Sequence, residues 1–445
     1  MTLDPRRDTW VTSNRFVPRA FVRPFLRFSQ IEASSGIVLL AAAIVAVIWA
    51  NSPWAETYFS LLETPFNLEF GPLHLEENLG LLINDGLMAI FFFVVGIEIK
   101  RELLLGDLSN RKAAALPVFG ALGGMIVPAL IYYGFNIGTD AAHGWGIPMA
   151  TDIAFAVGVV ALLGSRVPTP AKLFLLALAI ADDIGAIAVI AIFYSSDISL
   201  AWLAVAAGGL LAVWLAQRVN IRPVPYYIAL ALIVWYATLE SGVHATIAGV
   251  ALGFLTPHRP LYNPKEFDSR SHRILDTFPV DGNQEHIDHE AMMLADTAYE
   301  SVAPLNRLEH KLQPWSAFLV IPLFALANAG VSFEGINMGD ALTHPVTLGV
   351  AVGLVVGKTI GVSVFAWIAV RLGLGNLPAG TTWRHIVGMG AMAGIGFTVA
   401  IFVAGLAFEN PSYDELAKVG IFLASAVAGV LGTLILLRAN GQRKQ

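Results

Sequence analysis

The sequence predicts an all-α polytopic membrane protein of twelve transmembrane helices. Three observations carry that prediction: a composition suited to lipid, apolar segments of spanning length, and basic residues that gather on one side. Of the 445 residues, 56% are hydrophobic and 13% charged, and mean hydropathy is +0.67. Soluble domains carry about 25% charged residues, and a chain this long would need such a surface to stay dissolved. With no cysteine, disulfides, thiolate catalysis and Cys-ligated metals are excluded.

The apolar segments lie near 31–51, 79–99, 113–135, 144–164, 171–194, 200–217, 224–240, 243–256, 315–333, 346–370, 386–407 and 416–437. A span needs roughly 20 residues, so the eighth is short for a full crossing. Lys and Arg test the count independently. If the spans alternate, all but two of the 27 basic residues fall on one side. The opposite loops hold Glu56, Glu63, Glu69, Glu76, Glu77, Asp140, Asp197, Glu240, Glu334 and Asp340, with no Lys or Arg. The positive-inside rule therefore predicts a multi-pass protein of the cytoplasmic (inner) cell membrane with both termini in the cytoplasm. The exceptions are Lys418, at the outer end of the last span, and Lys358, in the middle of the tenth.

The resulting plan is a cytoplasmic tail over 1–30, helices one to eight over 31–256, a cytoplasmic loop over 257–311, helices nine to twelve over 312–438, and a short cytoplasmic tail over 439–445. The first tail runs straight into a full span, which predicts no cleavable targeting segment. In 66–76, Phe66, Leu68 and Phe70 alternate with polar residues, Gly71-Pro72 offers a turn, and Leu73 and Leu75 resume the alternation, so an external hairpin is expected there. The loop 257–311 is rich in His, Asp and Glu. His286, His289 and Glu290 lack a strict ligand spacing, and a solvated insertion is the better reading.

Ionisable residues inside the spans are the sharpest signal. Asp85 and Glu98 fall in the second span, Asp152 in the fourth, Asp182 and Asp183 in the fifth and Lys358 in the tenth. At a helix centre each costs about 3 kcal/mol, so Asp152, Asp182, Asp183 and Lys358 together cost roughly 12 kcal/mol. A salt bridge that fixes helix register accounts for Lys358 and one aspartate, but one lysine cannot neutralise three. Adjacent helical residues point about 100° apart. Asp182 and Asp183 therefore cannot both face one neighbour, although one can bind a cation while the other faces Lys358. Glu98, beside Lys100, Arg101 and Glu102, fits an interfacial charge cluster as well as it fits function. Asp85 lies deeper and is ambiguous.

Two spans carry breakers at mid-depth. The fourth reads GWGIPMATDIAFAVG (144–158), with Gly146 and Pro148 ahead of Thr151-Asp152. The eleventh reads GMGAMAGIGFTVA (388–400), with Gly388, Gly390, Gly394 and Gly396. Irregular backbone at this depth is tolerated only where protein encloses it or it lines a cavity. Freed carbonyls and half-helix ends then serve as ion ligands or fixed partial charges, and Asp152 is placed to offset positive half-helix ends.

At these residues the chain resembles the NhaA family of Na+/H+ antiporters. The matching segments are INDGLMAIFFFVVGIEIKREL (83–103), IPMATDIAFAVGVVALLGSRVP (147–168), LALAIADDIGAIAVIAIFY (176–194), SGVHATIAGV (241–250), RLEH (307–310), PLFALANAGV (322–331), GKTIGV (357–362) and GIGFTVAIF (394–402). The resemblance implies inverted repeats of helices 3–5 and 10–12, an architecture for which this family is a standing example, with broken helices 4 and 11 crossing mid-membrane. It implies that Asp182, Asp183, Asp152 and Thr151 bind the cation and protons, the last two at the broken-helix site with Gly394 and Gly396 in its backbone, and that Lys358 is the charge partner. Glu98, His244 and Glu309 match residues of the pH response and cytoplasmic funnel, with Asp85 placed beside them. The hairpin falls where the family builds its homodimer contact. Gln313 stands where a histidine is familiar and Asn306 where a lysine is, which bears on the pH set point.

These readings together predict a secondary active transporter, not an enzyme, that exchanges Na+ or Li+ for H+ and serves pH and sodium homeostasis. Its partners are the transported ions, membrane lipid and a second copy of itself, with no nucleic acid and no cofactor. A carboxylate held away from water binds protons more tightly, so protons and a hard cation compete for the same oxygens. Competition at one site exposed alternately to each side is sufficient for exchange, and no Walker-type phosphate loop is present. Other ion-coupled carriers and cation channels share the composition. An intramembrane aspartyl protease would need its own aspartate motif, which is missing, and no lysine.

Overall fold

The computed structural model describes residues 34–70, 73–195, 197–279, 283–333 and 337–440. The tail expected over 1–30 and most of that expected over 439–445 lie outside the described residues. Among the described residues, each of the twelve apolar segments falls largely on helix. Among the described residues, six helices are long and apolar enough to span alone: Leu79–Leu104, Arg111–Asn136, Thr169–Phe193, Leu200–Arg218, Pro345–Arg371 and Pro411–Ala439. Three bent pairs pass the same test together: Ser34–Ala50 with Ala55–Leu62 (113°), Asp140–Met149 with Ile153–Leu162 (44°), and Trp383–Met392 with Phe397–Ala407 (49°). Val224–Leu239 and Thr246–Leu255 are shorter, so the eighth segment is briefer still than its apolar run. The count of twelve spans rests on the sequence pattern.

The chain packs as two compact units. Among the described residues, one holds those from 34 to 80, Asn110–Ile190 and those from Ile321 to 440. In it the helices Arg111–Asn136 and Pro345–Arg371 cross in backbone contact, because a Cβ on Gly123 would collide with the Gly361 carbonyl and one on Gly361 with the Gly123 carbonyl. Small residues let helices approach where lipid supplies no hydrophobic drive between them. The hairpin also belongs here. Pro65–Phe70 pairs antiparallel with Leu73–Asn78, with Leu68 opposite Leu75 and Phe66 opposite Glu77. Tyr58 is 2% exposed, and its hydroxyl lies 2.8 Å from the Leu326 carbonyl and 2.9 Å from that of Ala327, which ties the short helix Ala55–Leu62 to the end of Ile321–Asn328.

The second unit holds Leu81–Ser109 and Ala191–Val320. Its tightest contact sets Thr246–Leu255 against Met88–Leu104, where a Cβ on Gly249 would meet the Ala89 carbonyl. Lys100 Nζ donates to the Phe254 and Thr256 carbonyls at 2.7 and 2.6 Å, so a cation caps the shorter helix's C-terminus.

Region 257–311, expected as a solvated loop, is helical over Pro264–Asp276, Gln284–Glu300 and Pro304–Trp315. The signals are local: Asn263 and Asn283 accept backbone N–H donors as N-caps, and Pro264 and Pro304 occupy first turns. Arg222 pairs with Glu300, and the Leu305 N–H donates to the Pro257 carbonyl at 3.0 Å, closing the insertion at its neck. The ninth helix therefore begins near Pro304, ahead of its apolar run, and passes through a π turn at Ser316–Val320 into Ile321–Asn328.

Candidate ion-exchange site

The site is built where the two broken helices meet in the first unit. Between Met149 and Ile153 the chain is extended at Asp152 (φ −80°, ψ 98°), as the N-cap of Ile153–Leu162. Pro148 and Gly146, buried just before the break, supply the irregularity. The second break lies between Met392 and Phe397. A Cβ on Gly394 would press on the Leu354 carbonyl, and one on Gly396 would sit 3.1 Å from the Ala150 carbonyl, so glycine lets this backbone pass close to the first break. The broken ends satisfy each other. The Asp152 N–H donates to the Ile395 carbonyl at 2.7 Å, and Thr151 Oγ1 lies 2.8 Å from the Ala393 carbonyl.

Thr169–Phe193 brings Asp182 and Asp183, 0% and 4% exposed, to this crossing. Asp182 takes Lys358: Nζ donates to its Oδ2, and both side chains are wholly buried. Thr151 closes the triangle, with Oγ1 2.7 Å from Asp182 Oδ2 and accepting from Lys358 Nζ at 3.0 Å. The Thr151 hydroxyl has one proton for two acceptors, Asp182 and the Ala393 carbonyl, so its bond to Asp182 can be exchanged without loss. Among the described residues, Oδ1 of Asp182 has no hydrogen-bond partner although it is buried. A buried carboxylate oxygen left in that condition costs several kcal/mol unless a cation or proton satisfies it.

A π turn at Gly353–Gly357 precedes Lys358, and Gly124 on the neighbouring helix leaves room for the lysine stem, 3.5 Å from Cδ to where its Cβ would stand. π turns inside α-helices recur at functional sites because they re-aim one side chain. No composition or spacing signal announces this one.

Asp152 is differently placed. Its Oδ1 accepts from the Phe155 N–H at 2.9 Å, and its Oδ2 accepts from the Thr398 N–H at 3.1 Å and from the Thr398 hydroxyl. One carboxylate thus caps the N-termini of Ile153–Leu162 and Phe397–Ala407 together, where both positive helix ends point. The sequence does not single out Thr398, whose only signal is a hydroxyl just past the Gly-Ile-Gly break.

Gly394 and Gly396 thus join Thr151, Asp152, Asp182, Asp183 and Lys358 in one cluster. The other candidates belong to the second unit. Glu309 pairs with Arg101, and Glu98 lies within the charge field of Glu309, Glu102 and Arg101. His244 Nε2 is 2.6 Å from the Tyr194 carbonyl, and the Asp85 carbonyl, in a π turn at Ile83–Leu87, accepts from Trp235 Nε1 at 3.1 Å. Nearby, burial pushes the His258 imidazole below its ordinary value, and Lys100 and Arg259 push the same way.

Residues 26–436 match the family model described as Na+/H+ antiporter 1. The chain belongs to the NhaA family of Na+/H+ antiporters. It is 47% identical over 434 residues to the protein named Na(+)/H(+) antiporter NhaA of Oleidesulfovibrio alaskensis, covering 95% of this chain and 96% of that one. Against Na(+)/H(+) antiporter NhaA 2 of Sorangium cellulosum the identity is 46% over 431 residues, with 96% and 92% covered. Against the NhaA of Syntrophobacter fumaroxidans it is 46% over 419 residues, with 92% and 89% covered. Members of this family are transporters by name, not enzymes, so a protease reading of the buried aspartates is not favoured.

Proposed function

We propose that this protein exchanges Na+, and Li+ with it, for H+ across the inner membrane, with both termini in the cytoplasm. Exchange takes place by competition of cation and protons for Asp182 and Asp183. The observation that carries the reading is the buried Asp182 Oδ1 without a partner, one residue from Asp183 and opposite Lys358. Protonated, the pair holds two hydrogens; deprotonated, it offers oxygens to a hard cation. Thr151 adds a hydroxyl oxygen, and Lys358 holds Asp182 while the ion is absent. Asp152 and the glycine-bordered carbonyls of 393–396 support the crossing. Glu98, Glu309, His244 and Asp85 belong to the pH response or the cytoplasmic approach. The hairpin at 66–76 presents a strand edge to a second copy, and the cell uses the exchange for pH and sodium homeostasis.

Asp182→Asn and Asp183→Asn are each expected to abolish exchange while the protein still inserts, because an amide keeps the volume but cannot cycle a proton. The measurement is Na+-driven pH change in everted vesicles beside membrane abundance. Robust exchange by both variants would overturn the assignment.

A further inference from the structure

The exchange reading gives Glu300 no part, yet it gathers several segments of the second unit. Its carboxylate meets two arginines from different parts of the chain. Oε2 accepts from Arg222, which lies just ahead of Val224–Leu239, and Oε1 lies 3.7 Å from Arg307 of Pro304–Trp315. Arg307 is held twice more, through the neighbouring Tyr299. Its Nη1 donates to the Tyr299 carbonyl at 2.9 Å, and its guanidinium carbon stands 3.9 Å from the centre of that ring. The Glu300 carbonyl accepts from the Leu261 and Tyr262 N–H groups at 3.0 and 3.5 Å. One residue thus joins the loop after the sixth span, both ends of the insertion and the start of the ninth helix.

That helix cannot fix its own start. Ala303 stands at its N-cap with no side-chain oxygen to offer, so the first turn depends on its neighbours. The Leu305 N–H takes the Pro257 carbonyl, and Arg307 takes Glu300. Residues two apart on a helix point about 200° apart, so Arg307 and Glu309 stand on opposite faces. Glu300 and Tyr299 hold one face, and Arg101, paired with Glu309, holds the other. We infer that Glu300 is a positioning residue that clamps the start of the ninth helix and so sets where Glu309 stands against Arg101 and Glu98. Its effect on exchange rests on the reading of Glu309 as part of the cytoplasmic approach.

Isolated exposed pairs contribute little, because water screens them and two long side chains must be held still. Here both conditions differ. The side chains of Arg307 and Glu300 are 14% and 22% exposed, and that of Arg222 is 38% exposed. Arg307 lies against Tyr299, so its planar fork is already oriented toward the carboxylate. Lys311, one turn further along the same face, places Nζ 5.3 Å from the centre of the same ring. The end of the insertion therefore grips two cations of one helix face, and a shift of that face turns Glu309 on the opposite side.

Glu300→Gln keeps the size and removes the charge. Asp296→Asn removes a charge from an exposed position one turn earlier on the same helix and serves as the control. The experiment is hydrogen–deuterium exchange of the full-length protein in detergent, beside the Na+ concentration for half-maximal exchange and the maximal rate in proteoliposomes. Glu300→Gln is expected to lower protection of the 307–312 amides roughly tenfold, the worth of one hydrogen bond to a charged group. It should also raise the half-saturating Na+ concentration roughly two- to thirtyfold, the range of coupling carried through such networks, with the maximal rate kept. Asp296→Asn is expected to change neither. Parent-like protection in folded Glu300→Gln overturns the inference. Lost protection with a parent-like Na+ requirement upholds the clamp and overturns the reading of Glu309 on which its effect rests. If Glu300→Gln does not insert, Arg222→Gln decides, since it loosens Glu300 without touching the ninth helix: lost protection of 307–312 supports the inference, and parent-like protection overturns it.

Discussion

Two ion pairs, Lys358–Asp182 and Arg101–Glu309, have the same chemistry and opposite surroundings. In the first, both side chains are 0% exposed; in the second, Arg101 is 48% and Glu309 12% exposed. At the second pair the half-exposed Arg101 meets water, which screens the charges, although Glu309 itself is largely enclosed. At the first there is nothing to rehydrate a survivor except an incoming ion or proton. The same kind of pairing is thus half open to water in one place and wholly enclosed in another, and the difference is burial. A buried pair left with one unsatisfied oxygen is costly to keep, and exchange chemistry requires such an arrangement.

This contrast is open to measurement, first where the effect should be largest. Lys358→Ala strands Asp182 away from water and should lower stability by about 3–5 kcal/mol. Melting in detergent at fixed alkaline pH checks it, and a melting curve matching the parent would mean that the buried pair is not an ion pair. Arg101→Ala should cost no more than about 1 kcal/mol, and that difference should fade in about 0.5 M salt, within which exposed charges barely sense each other. A loss as large as that of Lys358→Ala, persisting in salt, would erase the distinction between the two regions.

Much of the fold and of the site is legible in the amino-acid sequence. Charged residues within apolar runs announce themselves by their insertion cost, and Gly146, Pro148, Gly394 and Gly396 mark where helices cannot continue. The hairpin follows from alternation around Gly71-Pro72, and the strands Pro65–Phe70 and Leu73–Asn78 extend it by a residue or two at each end. What stays hidden depends on contacts between distant parts of the chain. That Asp182 rather than Asp183 takes Lys358 is decided by the rotation of a helix against a partner 176 residues away. Thr398 meets Asp152 across 246 residues, so no local pattern points to it. The π turn before Lys358 leaves no compositional trace. The helices within 257–311 are hidden for another reason: they are charged, and apolar runs do not mark helices whose only signals are Asn and Pro at their starts.

The central claim is that Na+ and protons compete for one set of buried carboxylates, and the pH dependence of Na+ affinity tests it most directly. Each proton that must leave before Na+ binds weakens apparent affinity about tenfold per pH unit below the carboxylate range. The measurement is the Na+ concentration for half-maximal exchange against pH, in vesicles clamped at zero potential, with enough points below pH 7 to reach the limiting slope. With Asp182 and Asp183 both releasing protons, the slope should exceed one over part of the range and approach two, roughly a hundredfold per unit. A flat dependence there would show that Na+ and protons do not share a site and would contradict the mechanism.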